Sequence, residues 1–179
     1  MKFYTIDIQY LQKLNQLDPE VFYAANYSNK PYVGIIVMNG NYEYFIPLTS
    51  AKPKHINWKN ITKHNYIVYE MSKPLDNIPN NWIYKLNSQT GEIKHILSVL
   101  EIRKMIPVPK GKYNQILFQN ITDVQYRNLL EKEFNFLKPY FADISHKAAA
   151  LYNKQVSTGV VEDFCCNFKL LEKECDNTT

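Results

Sequence analysis

Residues 32–50 read Tyr-Val-Gly-Ile-Ile-Val-Met-Asn-Gly-Asn-Tyr-Glu-Tyr-Phe-Ile-Pro-Leu-Thr-Ser. Tyr32–Met38 and Tyr42–Thr49 are rich in β-branched and aromatic residues, which suit a pleated, half-buried surface. Asn39-Gly40 between them is a strong signal for a two-residue type I′ turn, because both turn positions need positive φ. Such a turn pairs Met38 with Asn41, so paired residue numbers sum to 79. Ile35 then faces Tyr44, Gly34 faces Phe45 and Tyr32 faces Pro47. Continuing the register sets Lys30 opposite Thr49, with Cα atoms about 4.5–5.5 Å apart. Gly34 shares that face and leaves room for a ligand backbone or the Phe45 ring. Pro31 and Pro47 lack N–H groups, so the ladder is expected to fray or bulge at this end. Ser50 and Lys52 have the opposite parity to Thr49. The chain must bend after Thr49, around Ala51 and Pro53, for all four side chains to converge.

Outward from the hairpin, Lys2–Asp7 alternates as a short strand. Ile8, Leu11, Leu14 and Leu17 follow at helical spacing, and Asp18-Pro19 ends that helix. Residues 19–31 form a polar, aromatic loop holding Tyr23, Tyr27 and Lys30. Downstream, Tyr66–Met71 reads as a strand and the Pro- and Asn-bearing stretch Lys73–Asn81 as a loop. Trp82–Asn87 and Glu92–Ile96 read as a weaker strand pair around Thr90-Gly91, and Ile102–Val108 as a last strand. Asp123 caps a helix whose stripe is Leu129, Leu130, Phe134 and Leu137. Pro139 kinks or restarts it, and Ile144, Ala148, Leu151 and Tyr152 carry it to Thr158-Gly159. Asp163 precedes a short final helix through Phe168, Leu170 and Leu171. The pattern predicts one α+β domain over residues 1–179, strand-rich over 1–110 and helical over 122–175. Barrel and open sheet are not distinguished by pattern.

With 179 residues, 45% hydrophobic and 14% aromatic, the chain can bury one main core. Its 14 tyrosines against 9 phenylalanines suit either RNA stacking or half-buried strands. Net charge is +4 with pI near 8.8, and the cations cluster. Lys52, Lys54, His55, Lys59 and Lys63 fall in one acid-free stretch, and Arg103, Lys104, Lys110 and Lys112 in another. Both stretches fit a phosphate-binding groove, and equally a solvated charged face. Cys165, Cys166 and Cys175 are odd in number and two are adjacent, which argues against a disulfide framework. No Cys/His spacing suits zinc. No signal-peptide core or bilayer-length apolar run is present. The expectation is a cytoplasmic protein without a membrane partner.

The chemistry concentrates where the aromatic strand ends in Thr49-Ser50 and runs into Lys52, Lys54 and His55. RNA carries its own nucleophile, the 2′-hydroxyl. An enzyme can cut it by orienting that group and stabilising the charge on the pentacoordinate phosphorus. Lysines and hydroxyls suffice for this. Residues 44–64 hold no Asp or Glu, so a two-metal centre is not expected there. P-loop, GxGxxG, HExxH and GxSxG motifs are absent. An ordinary Thr-Ser turn with a solvated basic loop fits the same residues.

Several stretches are also similar to one known family. They are Met1-Lys2-Phe3-Tyr4-Thr5-Ile6, Tyr32–Val37 with Gly34, and Tyr44-Phe45-Ile46-Pro47-Leu48-Thr49-Ser50 followed by Lys52 and His55. Arg103-Lys104-Met105-Ile106-Pro107 and Cys166–Glu172 complete the set. In order and spacing they resemble the ToxN, AbiQ and CptN toxins of phage-defence and plasmid-maintenance modules, over residues 1 to about 175. Residues 60–98 match poorly. The resemblance implies a compact, partly open SH3-like antiparallel barrel with packed helices, similar to the MazF and Kid toxins. It implies a cytoplasmic endoribonuclease without metal or other cofactor, which acts on mRNA and not DNA. Cleavage would leave a 2′,3′-cyclic phosphate and a 5′-hydroxyl. It implies a type III antitoxin made of RNA, whose repeats the toxin processes into pseudoknots that close with it into a ring. Thr49, Ser50 and Lys52 carry over directly as catalytic residues. Lys30, four residues before Gly34, carries over as a catalytic lysine and Tyr27 as a substrate-positioning residue. Lys54, His55, Lys59, Arg103, Lys104, Lys110 and Lys112 are the expected RNA contacts. A non-catalytic single-stranded RNA-binding module, and a MazF-like toxin inhibited by a protein, are the alternatives.

Overall fold

The computed structural model describes residues 1–24, 30–36, 42–73 and 76–178. The strands are β1 (Phe3–Ile6), β2 (Tyr32–Ile36), β3 (Glu43–Ser50), β4 (Asn65–Ser72), β5 (Ile83–Leu86), β6 (Ile93–Glu101), β7 (Ile106–Pro107) and β8 (Tyr113–Gln115). The helices are α1 (Ile8–Leu17), α2 (Val124–Leu137), α3 (Phe141–Thr158) and α4 (Phe168–Thr178). Neighbouring strands run β4-β6-β3-β2-β1-β8, with β5 beside β6 and β7 beside β3. The result is an α+β architecture with an open antiparallel sheet. Its pairings are antiparallel throughout the described strands.

The expected hairpin register holds. Tyr32 pairs with Pro47, Gly34 with Phe45, Ile35 with Tyr44 and Ile36 with Glu43. It persists one step beyond the strand, where the Leu48 N–H donates to Pro31 O at 3.0 Å. Pro31 has no N–H to return the second bond, so regular pairing stops there. Thr49 then turns to a different neighbour, Val99 of β6. The Asn39-Gly40 turn and Tyr27 lie outside the described residues. The room left by Gly34 is taken by an aromatic ring. A Cβ there would stand 2.6 Å from the Tyr4 ring, which packs edge-on against Phe45 at 5.2 Å.

Three expectations need correction. The Glu92–Ile96 strand continues to Glu101 as β6, which pairs with β3, β4 and β5. Its apolar residues Ile96, Val99 and Leu100 are buried, so it is a central strand and not half of a weak pair. Ile102–Val108 is not a last strand. Ile102–Lys104 is a 3₁₀ turn closed by Met105 N–H donating to Ile102 O, β7 is two residues long, and β8 follows. The final helix starts at Phe168 and not after Asp163. Asn167 supplies the cap, its Oδ1 accepting from the Leu170 N–H at 3.1 Å.

The other helices form as their caps dictate. The Asp7 side chain accepts from Tyr10 N–H at 2.8 Å to open α1, and Asp123 from Tyr126 N–H at 3.0 Å to open α2. Lys138-Pro139-Tyr140 is a 3₁₀ joint between α2 and α3, and Gly159 ends α3 at φ 69°. The main core sits between sheet and helices. There Tyr44 meets Tyr152 and Phe168, and Phe3 meets Phe118 and Phe134. A smaller cluster of Ile67, Ile96 and Val99, flanked by Ile56 and Trp58, supports β6 separately.

Candidate nucleic-acid interface and catalytic recess

The bend required after Thr49 is one turn of 3₁₀ helix over Pro53–Asn57. Pro53 fits its first position because the missing N–H is unneeded there. Lys52 stays extended at φ −135°, its carbonyl accepts from the His55 N–H at 2.8 Å, and its own N–H donates to His55 Nδ1 at 3.0 Å. This closed loop folds Lys52, Lys54 and His55 back over the end of β3. Together with Thr49 they line a recess of roughly 380 Å³ that also takes in Glu20, Phe22, Glu101, Arg103, Lys104 and Phe164. Two larger recesses, of about 410 and 660 Å³, hold a single lysine between them, Lys2. A polyanion is served by the smaller, cationic one.

Glu101 is the group that sequence reading missed. It closes β6 two residues after Val99, the partner of Thr49. The Thr49 hydroxyl can donate to Glu101 Oε1 or Val99 O, each at 3.3 Å, and Arg103 donates to Glu101 Oε2 at 3.3 Å. The Arg103 guanidinium lies 5.6 Å from the Trp58 ring centroid and 5.7 Å from that of Phe164. Lys104 is held by Glu20. A lone acid after the mostly apolar run Ile96-Leu97-Ser98-Val99-Leu100 is the signal in the sequence, and a strand that stops at Ile96 does not reach it.

Lys30 does not line the recess but packs against Phe22, which does. It is 4% exposed, with its Nζ 3.0 Å from the Phe22 ring centroid. Burial pushes its ammonium down to about 7; the Lys52 charge adds to this and the Glu101 charge opposes it. His55 is buried and lowered as well, first by burial and then by Lys54. Because Nδ1 accepts a hydrogen bond, the neutral ring carries its proton on Nε2, which has no partner among the described residues. Burial thus disfavours the charged form of both Lys30 and His55.

Not every expected residue converges. Ser50 is exposed, pairs with Ser98 and does not line the recess. Lys59 is exposed and also outside it. The second basic stretch divides: Arg103 and Lys104 enter the recess, whereas Lys112 sits 3.8 Å from Asp7 at the start of α1 and Lys110 is exposed nearby in sequence. The three cysteines form no disulfide and are buried. Among the described residues no group of three or more His, Cys, Asp and Glu is placed to hold a metal ion. No described helix is long and apolar enough to cross a membrane.

A cation-lined recess at the end of an open antiparallel sheet, with helices packed behind, describes a small α+β protein suited to a phosphate-bearing ligand. The family model described as "Toxin ToxN, type III toxin-antitoxin system" matches residues 2–176, and the chain belongs to that family. It is similar to endoribonuclease ToxN of Bacillus thuringiensis subsp. kurstaki, with 29% identity across 97% of this chain and 82% of the relative. It is similar to endoribonuclease ToxN of Pectobacterium atrosepticum, with 27% identity across 97% and 91%. Endoribonuclease AbiQ of Lactococcus lactis subsp. lactis is 25% identical across 96% and 86%. Among solved structures, one described as a processed non-coding RNA regulating a bacterial antiviral system superposes with a TM-score of 0.72. It is 25% identical and covers 99% of this chain and 98% of its own. The AbiQ structure, described as a lactococcal anti-phage endoribonuclease, shares the fold at TM-score 0.68 and 21% identity, covering 99% and 96%.

Proposed function

We propose that this chain is the endoribonuclease toxin of a type III toxin–antitoxin system, cutting RNA without a metal ion. The observation that carries the reading is the gathering of Thr49, Lys52 and Glu101 around one recess, with buried Lys30 packed against its lining residue Phe22, in a member of the ToxN family. The RNA 2′-hydroxyl attacks phosphorus and the bond to O5′ breaks, leaving a 2′,3′-cyclic phosphate and a 5′-hydroxyl. One proton leaves O2′ and one reaches O5′. Lys30, brought down to about 7 by burial, is the group matched to such a transfer near neutral pH, and His55, which burial keeps neutral, can accept a proton. Lys52, Lys30 when charged, and Arg103 stabilise the phosphorane, and Thr49 hydrogen-bonds it. Ser50, exposed at the rim of the strand, contacts the RNA backbone outside the recess. Lys54 and Lys104 bind phosphates beside it, with Lys59, Lys110 and Lys112 as outer contacts and Tyr27 positioning substrate.

Relatives named as endoribonucleases, and a 25%-identical structure described by its regulating non-coding RNA, support this activity and an antitoxin made of RNA. Pseudoknot units closing with the toxin into a ring are part of the reading. So are a single domain over residues 1–179, a cytoplasmic location, and kinship of the open sheet with the SH3-like barrel of MazF and Kid. The test is incubation of the purified chain with RNA in excess EDTA. Cleavage with 2′,3′-cyclic phosphate ends is expected. Activity lost in EDTA and restored by magnesium overturns the mechanism. Nuclease treatment of the native complex should free active toxin, and a complex that survives it would point to a protein inhibitor.

A further inference from the structure

Phe164 is 65% exposed, and at φ 60° it is the only non-glycine with positive φ among the described residues. Neither feature favours a phenylalanine. An exposed ring gains little from the hydrophobic effect, and a Cβ at positive φ is strained. The backbone around it is nonetheless pinned. The Cys165 N–H donates to Glu162 O at 3.0 Å, and the Cys166 N–H donates to Arg103 O at 2.9 Å. Glu162 is anchored in turn by Lys63 at 3.0 Å and Lys154 at 2.6 Å, while Cys165 and Cys166 are buried. The loop therefore presents the ring in one place, and that place is the recess holding Thr49, Lys52, His55 and Glu101. The Arg103 guanidinium, itself held by Glu101, lies 5.7 Å from the centroid of this ring and 5.6 Å from that of Trp58.

We propose that Phe164 is the stacking platform for the nucleobase next to the scissile phosphate, with Arg103 holding that nucleotide's phosphate. This rests on the ribonuclease reading of the recess. A phosphate and its own base lie within one nucleotide of each other, so an aromatic face beside a phosphate-binding guanidinium matches one unit of single-stranded RNA. Stacking accepts any base, so Phe164 holds the strand in register for in-line attack without selecting the sequence. The loop geometry is an expense the fold carries at a functional position.

The experiment uses the full chain and a 5′-labelled pool of random 20-nucleotide RNAs, followed by kinetics on one RNA that is cut. Phe164→Ala is expected to raise KM about tenfold to a hundredfold, the range for loss of one stacked base, with kcat within threefold. Phe164→Trp should stay near wild type and Phe164→Leu should not. Phe164→Gly, which suits positive φ, should unfold at or above the wild-type temperature while sharing the KM defect. An abasic sugar at the stacked position should raise the wild-type KM and erase the difference from Phe164→Ala. A KM within twofold of wild type for Phe164→Ala, or full activity of Phe164→Leu, overturns the platform. So does a flanking abasic scan that never erases the difference. If the wild-type chain cuts no RNA, the ribonuclease reading itself fails, which is a separate outcome.

Discussion

Strand β3 meets a buried carboxylate at each end, and the two are differently satisfied. At one end Glu172, 3% exposed, accepts from the Tyr44 hydroxyl at 3.0 Å, the Tyr152 hydroxyl at 2.7 Å and Lys169 at 2.7 Å. At the other end Glu101, 8% exposed, accepts from Thr49 and Arg103, each at 3.3 Å, and faces an open cationic recess. The Glu172 cluster is a closed account of short, charge-assisted bonds among aromatic rings, which locks α3 and α4 onto the sheet. The Glu101 cluster keeps hydrogen-bonding capacity and cations facing a space that RNA can enter. Both carboxylates are buried, and it is their unequal satisfaction that separates a fold-holding carboxylate from a site-organising one.

The comparison breaks or sharpens most at Glu172. Glu172→Ala leaves the Tyr44 hydroxyl without its acceptor and the Tyr152 hydroxyl with Lys169 alone, and should lower unfolding free energy by about 4 kcal/mol in denaturant titration. Turnover per folded molecule should not change. Lys52→Ala is the converse: kcat should fall about 10²–10³-fold by removal of one transition-state donor, with an unchanged denaturation midpoint because Lys52 is exposed. A Lys52→Ala enzyme retaining half of wild-type kcat would remove Lys52 from the chemistry.

Lys30 comes next. Its folded value of about 7 lies below its ordinary 10.5, so the unfolded chain binds more protons between those limits. Stability therefore rises with pH from about 7 to about 10.5, and the cost of the buried charge is fully present below about 7. Lys30→Met should be more stable than wild type by about 2–4 kcal/mol at pH 6, with the gap closing by pH 10.5. The same variant should lose most of its cleavage activity. A pH-independent difference would show that Lys30 is not held in this state.

The smallest effects are at single contacts. Tyr44→Phe should cost about 1 kcal/mol of stability and leave kcat unaltered. Lys54→Ala should flatten the salt dependence of RNA binding by about one counterion. Lys112→Ala, already paired with Asp7, should do less. Equal slopes for the two variants would mean that the recess does not dominate RNA binding.

Much of this was legible along the chain. The β2–β3 register followed from Asn39-Gly40 and strand alternation, because a turn and a period of two are local properties. The cap Asp123, the stop at Gly159 and the stripe Leu130, Leu137, Ile144, Ala148 were local too. So was the cation cluster Lys52, Lys54, His55, since a single 3₁₀ turn gathers residues three apart. What the sequence did not show was which strand Thr49 would join. That pairing spans 50 residues, from Thr49 to Val99. It depends on the total burial of Ile96, Val99 and Leu100 in a central strand, and no local window contains that sum. The placements that hang on it were decided by the tertiary structure alone: Glu101 within reach of Thr49, Arg103 bound to Glu101, and Ser50 left outside. Local chemistry named the cations of the site, and long-range strand pairing supplied the carboxylate and the ring that orient them.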